Sequence, residues 1–182
     1  MKTEKVFGGI ILVGLIFKFM HLPFAGPLLV VGSGSLTIIY LAGSFYFFCD
    51  ENIKRQNLAF SIISGFFLSN ACMAILYKLM FWPMSGDLIF AGITTVPVIL
   101  AISFWLKSAA KRTDLTTYYN NMIIRSAVMT VLVAVFYFTS SVTLIKIIHS
   151  DDPEWVRLQT QSHLHPENDV YRKEYNEYIN KK

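Results

Sequence analysis

The sequence predicts an all-α polytopic membrane protein with about five transmembrane helices, arranged as two parallel, repeated helical hairpins plus a fifth helix. Three observations predict it. Of the 182 residues, 54% are apolar and only 15% charged, with a mean hydropathy of +0.48; a soluble chain of this length lacks the interior volume to hide so much apolar surface. The apolar residues gather into five long runs, each sufficient at ~1.5 Å per residue to cross most or all of a ~30 Å hydrocarbon core. Finally, part of the first two runs recurs 60 positions later. The same composition excludes intrinsic disorder, a collagen-like chain and a disulfide scaffold.

The first run, Val6 to Leu22, follows Lys2 and Lys5 and so resembles a signal peptide. It ends in Lys18, Phe19, Met20 and His21 rather than a small-residue cleavage site, and is expected to stay as a helix. The second and third runs are Leu28 to Phe48 and Leu58 to Met80; the fourth and fifth are Leu88 to Leu106 and Met122 to Ile145. Short turns rich in Pro and Gly, His21 to Pro27 and Phe81 to Asp87, join runs one to two and three to four as tight hairpins. The other two joins are longer and basic, with Lys54 and Arg55 in one and Lys107, Lys111 and Arg112 in the other. By the positive-inside rule the N-terminus and both basic loops are cytoplasmic, the tight turns face outward, and the tail beyond His149 is periplasmic. The resulting units are residues 1–48 and 58–106 (the hairpins), 122–148 (the fifth helix) and 149–182 (the extracytoplasmic helical tail). Pro97 is expected to kink the fourth helix and free the carbonyl of Ile93, with Thr94 and Thr95 as local hydrogen-bond partners. Thr139 to Thr143 is expected to form a hydroxyl-bearing stripe toward the outer end of the fifth helix, either as a docking face or with its hydroxyls satisfied inside the chain's own bundle. Cys49 and Cys72 have no metal-like spacing and are expected to act as small buried hydrophobes.

Laying Leu15 to Gly32 on Ile75 to Gly92 matches Lys, Met, Pro, Gly, Leu and Gly in register. Both copies hold two crossings and must insert the same way up, a parallel repeat. Lys18 and Lys78 are expected to snorkel to the outer headgroups or cap the last carbonyls of their helices. Pro23 and Pro83 stop the helices, Gly26 and Gly86 reverse the chain, and Gly32 and Gly92 allow close helix approach. Lys18 and His21, three apart, would share one helix face and with Lys78 and Arg125 make a candidate ionisable or partner-facing set.

Phe17 to Pro23, followed by Ala25-Gly26 and Leu28 to Gly32, resembles the first hairpin of the GldL/PorL family, the inner-membrane ring proteins of the proton-driven motor of type IX secretion and gliding in Bacteroidota. The resemblance covers about the first 30 residues and, more weakly, the second copy. It implies an inner-membrane hairpin with Lys18 and His21 near the outer end of its first helix. The family carries an acidic residue inside its second helix, whereas Leu28 to Phe48 holds no Asp or Glu, and a long cytoplasmic C-terminal domain like the family's is not expected. The torque-generating role is therefore not implied.

No catalytic constellation, cofactor motif or metal site emerges. Acidic residues are missing from all five runs, against the habit of proton and cation transporters. His149, Asp151, Asp152, His163 and His165 suit a metal by type but not by spacing. In the tail, Asp152-Pro153-Glu154 and His165-Pro166-Glu167 read as helix starts. Tyr171, Tyr175 and Tyr178 then form one aromatic face which, with Trp155, is a candidate partner-binding element. The tail carries five Lys and Arg against seven Asp and Glu, so anionic lipid attracts it little. Its tyrosines are expected to press on the outer turns around Phe24, Phe81, Trp82 and Met84, or on a partner. The expected function is a non-catalytic membrane subunit or scaffold of a cell-envelope complex, contacting lipid and other membrane or periplasmic subunits and no nucleic acid. The alternative is an oligomeric channel or pore-forming effector.

Overall fold

The computed structural model describes residues 2–48, 57–109, 115–165 and 167–180. Among them it forms eight helices and no strand: α1 (Lys2–Phe19), α2 (Ala25–Phe47), α3 (Leu58–Leu79), α4 (Ser85–Ala109), α5 (Thr116–Phe138), α6 (Ser141–Ile148), α7 (Pro153–Leu164) and α8 (Asp169–Asn180). The fold is all-α. Four of these helices, α2 to α5, are long and apolar enough to cross a membrane. Helix α1 is 18 residues long but carries Lys2, Glu4, Lys5 and Lys18, and these charges set it apart from the four.

Packing follows chain order, α1 on α2, α2 on α3, α3 on α4 and α4 on α5, while α3 also meets α5. Helix α3 is thus the central element, and Leu68, Ala71 and Ala74 on it have no solvent exposure. They share a core with Tyr40 of α2, Val96 and Ile99 of α4, and Tyr118, Met122 and Val133 of α5. Side chains on the opposite faces point outward; Trp105 is 68% and Phe138 81% exposed. Apolar exposure on that scale around a bundle is tolerable in lipid and not in water.

Small residues set the closest approaches. A Cβ added at Gly32 would lie 2.7 Å from Ile11 of α1, its hairpin partner, as expected, whereas one at Gly92 would lie 3.2 Å from Val133 of α5 and only 3.9 Å from Ala71 of its hairpin partner α3. The tightest crossing is elsewhere: a Cβ at Gly65 would fall on Ser44 and the Tyr40 carbonyl, so α2 and α3 touch backbone to backbone there.

The two hairpin turns are the same structure twice. The Leu22 N–H donates to the Phe17 carbonyl at 2.8 Å and the His21 N–H to Lys18 at 3.4 Å. Sixty residues on, Trp82 donates to Tyr77 at 3.0 Å and Phe81 to Lys78 at 3.4 Å. This is the Schellman closure, which needs a left-handed residue just past the helix. That residue is His21 (φ 55°) in one copy and Phe81 (φ 55°) in the other, and a second left-handed residue, Phe24 (φ 68°) or Met84 (φ 63°), restarts the next helix. The glycines expected to reverse the chain do not do so: Gly26 and Gly86 lie inside the first turns of α2 and α4. The reason is that Pro23 and Pro83 hold the preceding residue extended, leaving the reversal to the residues on either side.

Three further expectations change. The predicted single helix from Met122 to Ile145 is two, because Thr139 (ψ 117°) and Ser140 (ψ 141°) are extended. Hydroxyl side chains offer the backbone an alternative partner, and Thr139 uses its own on the Val135 carbonyl at 2.7 Å. The hydroxyl run is thus a break between α5 and α6, not a stripe on one helix. Helix α4 runs through Pro97, but Thr94 and Thr95 bond to the Phe90 and Ala91 carbonyls rather than to Ile93. Helix α7 starts as predicted, with Asp152 accepting from the Trp155 N–H at 3.0 Å and Pro153 in its first turn. Helix α8 instead starts at Asp169, where Asn168 accepts from the Val170 N–H at 3.0 Å. Cys72 is buried; Cys49, Lys54, Arg55, Lys111, Arg112 and Pro166 lie outside the described residues.

Candidate functional site

Two polar centres form, one at each end of the bundle. Glu4 stands in the first turn of α1 and Lys18 in the last, so they are about 21 Å apart along the axis.

At the Glu4 end, Arg125 of α5 reaches the carboxylate with two bonds, Nε to Oε1 at 2.6 Å and Nη2 to Oε2 at 3.0 Å. The Tyr40 hydroxyl donates to the same carboxylate at 2.9 Å, and the Arg125 guanidinium lies 5.0 Å from the centre of the Phe48 ring. Both partners are largely buried, with side chains 7% and 14% exposed. The fork geometry matches guanidinium to carboxylate. Arg125 Nη1 is buried with no hydrogen-bond partner among the described residues. Between α3 and α5, Ser61 and the Tyr118 hydroxyl lie 2.6 Å apart, and Tyr118 donates to the Asn57 carbonyl at 3.3 Å. Four helices are thereby pinned: α1 to α2 and α5 by Glu4, and α3 to α5 by Tyr118.

At the other end the first hairpin turn meets the tail. Having passed the helix end, His21 does not share a helix face with Lys18, contrary to expectation; its Nε2 is 3.1 Å from the Asp151 carboxylate. Lys18 Nζ crosses to the second hairpin, 3.7 Å from the Met80 sulfur and 5.4 Å from the centre of the Phe81 ring. So the residue that replaces histidine in the second repeat receives the lysine of the first. His149 lies over Trp155 with ring centroids 3.6 Å apart. Burial pushes the His149 imidazole down to about 4, aided by the positive charges of Lys18 and His21 and opposed by Asp151 and Asp152. His163 is also held below its ordinary value, by burial and then by the charge of Lys78. Lys78 itself is buried.

The tail tyrosines find neither outer turn. Tyr175 packs edge-on to Trp155 at 6.0 Å, the Tyr178 hydroxyl is 3.0 Å from each Asp152 oxygen, and Tyr171 lies 5.8 Å from His165. The tail is a helical hairpin closed by its own aromatic face, while Phe24 and Met84 stay exposed at 72% and 69%. Two clefts result. One, of about 360 Å³, is lined by Lys18, His21, Ala25, Gly26, His149 and Asp151 among others; the second, of about 430 Å³, lies between His149, Trp155, Tyr175 and Tyr178. Among the described residues no three His, Cys, Asp or Glu side chains gather to hold a metal ion.

The four ionisable residues singled out from the sequence do not make one face. Lys18 and His21 share the outer cleft, Lys78 lies beneath the tail, and Arg125 belongs to the opposite end. Glu4 and Tyr40 carry no signal of their own in the sequence pattern, and His149, which suits a metal by residue type, instead stacks on Trp155. An arginine inside an apolar helix does call for a counter-ion, and that signal points to the few acids near the same membrane face. No protein-family model, curated protein or solved structure matches this chain.

Proposed function

We propose that the chain is a non-catalytic integral-membrane subunit or scaffold of a larger bacterial cell-envelope complex. The observation that carries this is α8: a helix of 12 residues with none buried, held through its tyrosine face and presenting Arg172, Lys173, Glu174 and Glu177 to the outside. A helix that adds nothing to the core of its own bundle, on a firmly capped stalk, suits recognition by another protein. Loop charges support an inner-membrane orientation with a cytoplasmic N-terminus and a periplasmic tail. In that orientation α1 is the fifth crossing, and its Glu4 is tolerated because Arg125 neutralises it. The resemblance of Phe17 to Gly32 to the GldL/PorL hairpin supports type IX secretion or gliding as the setting. Torque generation is left out of the proposal, since α2 contains no acidic residue.

The test is affinity purification of the tagged chain from native membranes in mild detergent. The full chain is expected to bring down a partner at fixed stoichiometry. A variant with Arg172, Lys173, Glu174 and Glu177 changed to Ala should lose it while still inserting. Equal recovery from both, or ion flux from the purified chain alone in liposomes, overturns the subunit assignment, the latter in favour of a channel.

A further inference from the structure

The outer cleft has the chemistry of a ligand site, and its charges are unequally used. Lys18 has no carboxylate partner among the described residues; its ammonium rests on a sulfur and an aromatic ring, weak substitutes for an anion. Beside it the same cleft takes in Ala25 and Gly26, the first residues of α2, whose N–H groups have no acceptor within the helix and which bear the positive end of its dipole. On the facing wall is Asp151, its side chain 61% exposed and engaged by His21 through one oxygen. A site with a free cation and helix N–H groups on one side and a carboxylate on the other fits a zwitterion, anion inward and cation toward Asp151. The volume of about 360 Å³ lies within the ~300–1,000 Å³ of small-ligand clefts.

Position narrows the ligand further. Lys18 is in the last turn of the apolar helix α1, the depth of a phospholipid headgroup, and Leu22 and Ile148 supply an apolar edge to the cleft. We infer that this cleft binds a phosphoethanolamine headgroup, its phosphate on Lys18 and the α2 N-terminus and its primary ammonium on Asp151, and that the source is phosphatidylethanolamine of the surrounding leaflet. Choline is a poorer fit because its trimethylammonium has no N–H to donate to a carboxylate, and glycerol headgroups carry no cation for Asp151. This site does not depend on the chain having a protein partner.

Native mass spectrometry of the full chain in detergent tests it, with dioleoyl phosphatidylethanolamine, phosphatidylcholine and phosphatidylglycerol offered at equal concentration and soluble O-phosphoethanolamine offered separately. Phosphatidylethanolamine should be retained about tenfold over phosphatidylcholine, and Lys18→Gln should cut that retention about tenfold. Asp151→Asn, at a side chain 61% exposed, should abolish the preference for ethanolamine over choline. Lys146→Gln, an exposed lysine on α6 away from the cleft, should change nothing. Equal retention of the three lipids overturns the assignment, as do unchanged retention in both cleft variants or an equal loss in Lys146→Gln. O-phosphoethanolamine bound with no lipid retained overturns the lipid source and assigns the headgroup chemistry to a free phosphate ester.

Discussion

Glu4 lies outside the first apolar run, yet its carboxylate takes both arms of Arg125 from 121 positions away and the Tyr40 hydroxyl as well. The exchange is uneven: a buried pair adds little net stability over well-packed apolar residues, but removing one member leaves a desolvated charge. Glu4→Gln should therefore cost about 3–5 kcal/mol, read as a lowered melting temperature in detergent, and Glu4→Gln with Arg125→Met should recover most of it. A double variant as unstable as the single one would show that the pair is not what Arg125 needs. An apolar helix with one arginine demands a counter-ion, but Glu4, Asp50, Glu51 and Asp114 all lie near that face in sequence. Choosing among them requires the helix rotations. His21 is a parallel case, since its three-residue spacing from Lys18 implies a shared face only while the helix continues.

At the scale of elements, the tail is a cap assembled from local pieces. Its helix starts obey short-range rules, so Asp152 and Pro153 announce α7 in the sequence. The break at Thr139 and Ser140 is subtler: four hydroxyl residues among five suit a helix packed on a neighbour as well as a helix end, and only the packing of Leu144, Ile145 and Ile148 against the bundle selects the second. The cap also has a pH dependence. An unfolded histidine titrates near 6.5 and His149 in the fold near 4, so between those values the opened tail takes up a proton that the closed tail refuses. The stabilisation is fully present above about 6.5 and is lost as pH falls toward about 4; His163 is shifted the same way. Amide exchange in α7, corrected for its intrinsic rate, should accelerate between pH 7 and pH 5, and His149→Gln should flatten that response. An α7 equally protected at both pH values would show that His149 does not hold the cap.

For the molecule as a whole, the hairpin turns and the tail share one end of the bundle, the end that the proposed orientation, from the loop charges, assigns to the periplasm. Single cysteines offer the check. Gly86 has open space for a side chain, and one at Gly26 meets nothing closer than 3.6 Å. Cysteines at these two positions and at the exposed Asn176 should react with an impermeant reagent in intact cells, while those at Lys54 and Lys111 should be protected. A protected Asn176 would sink the five-crossing orientation. The helical class, the hairpin pairing and the repeat were all legible in the sequence, because hydropathy runs and Pro-bearing turns act within a few residues.

What the sequence by itself determined, then, is where the chain is apolar enough for a bilayer, where it turns, and that it turns the same way twice. Those properties arise from interactions among near neighbours. The tertiary structure alone decided that His21 and Phe81, not glycines, take the left-handed positions, that Gly65 marks the closest crossing, and that Glu4 answers Arg125. It also decided that the tyrosines close on Trp155 and Asp152. Each of these depends on which distant side chain arrives at a given place, and a run of neighbours carries no record of that.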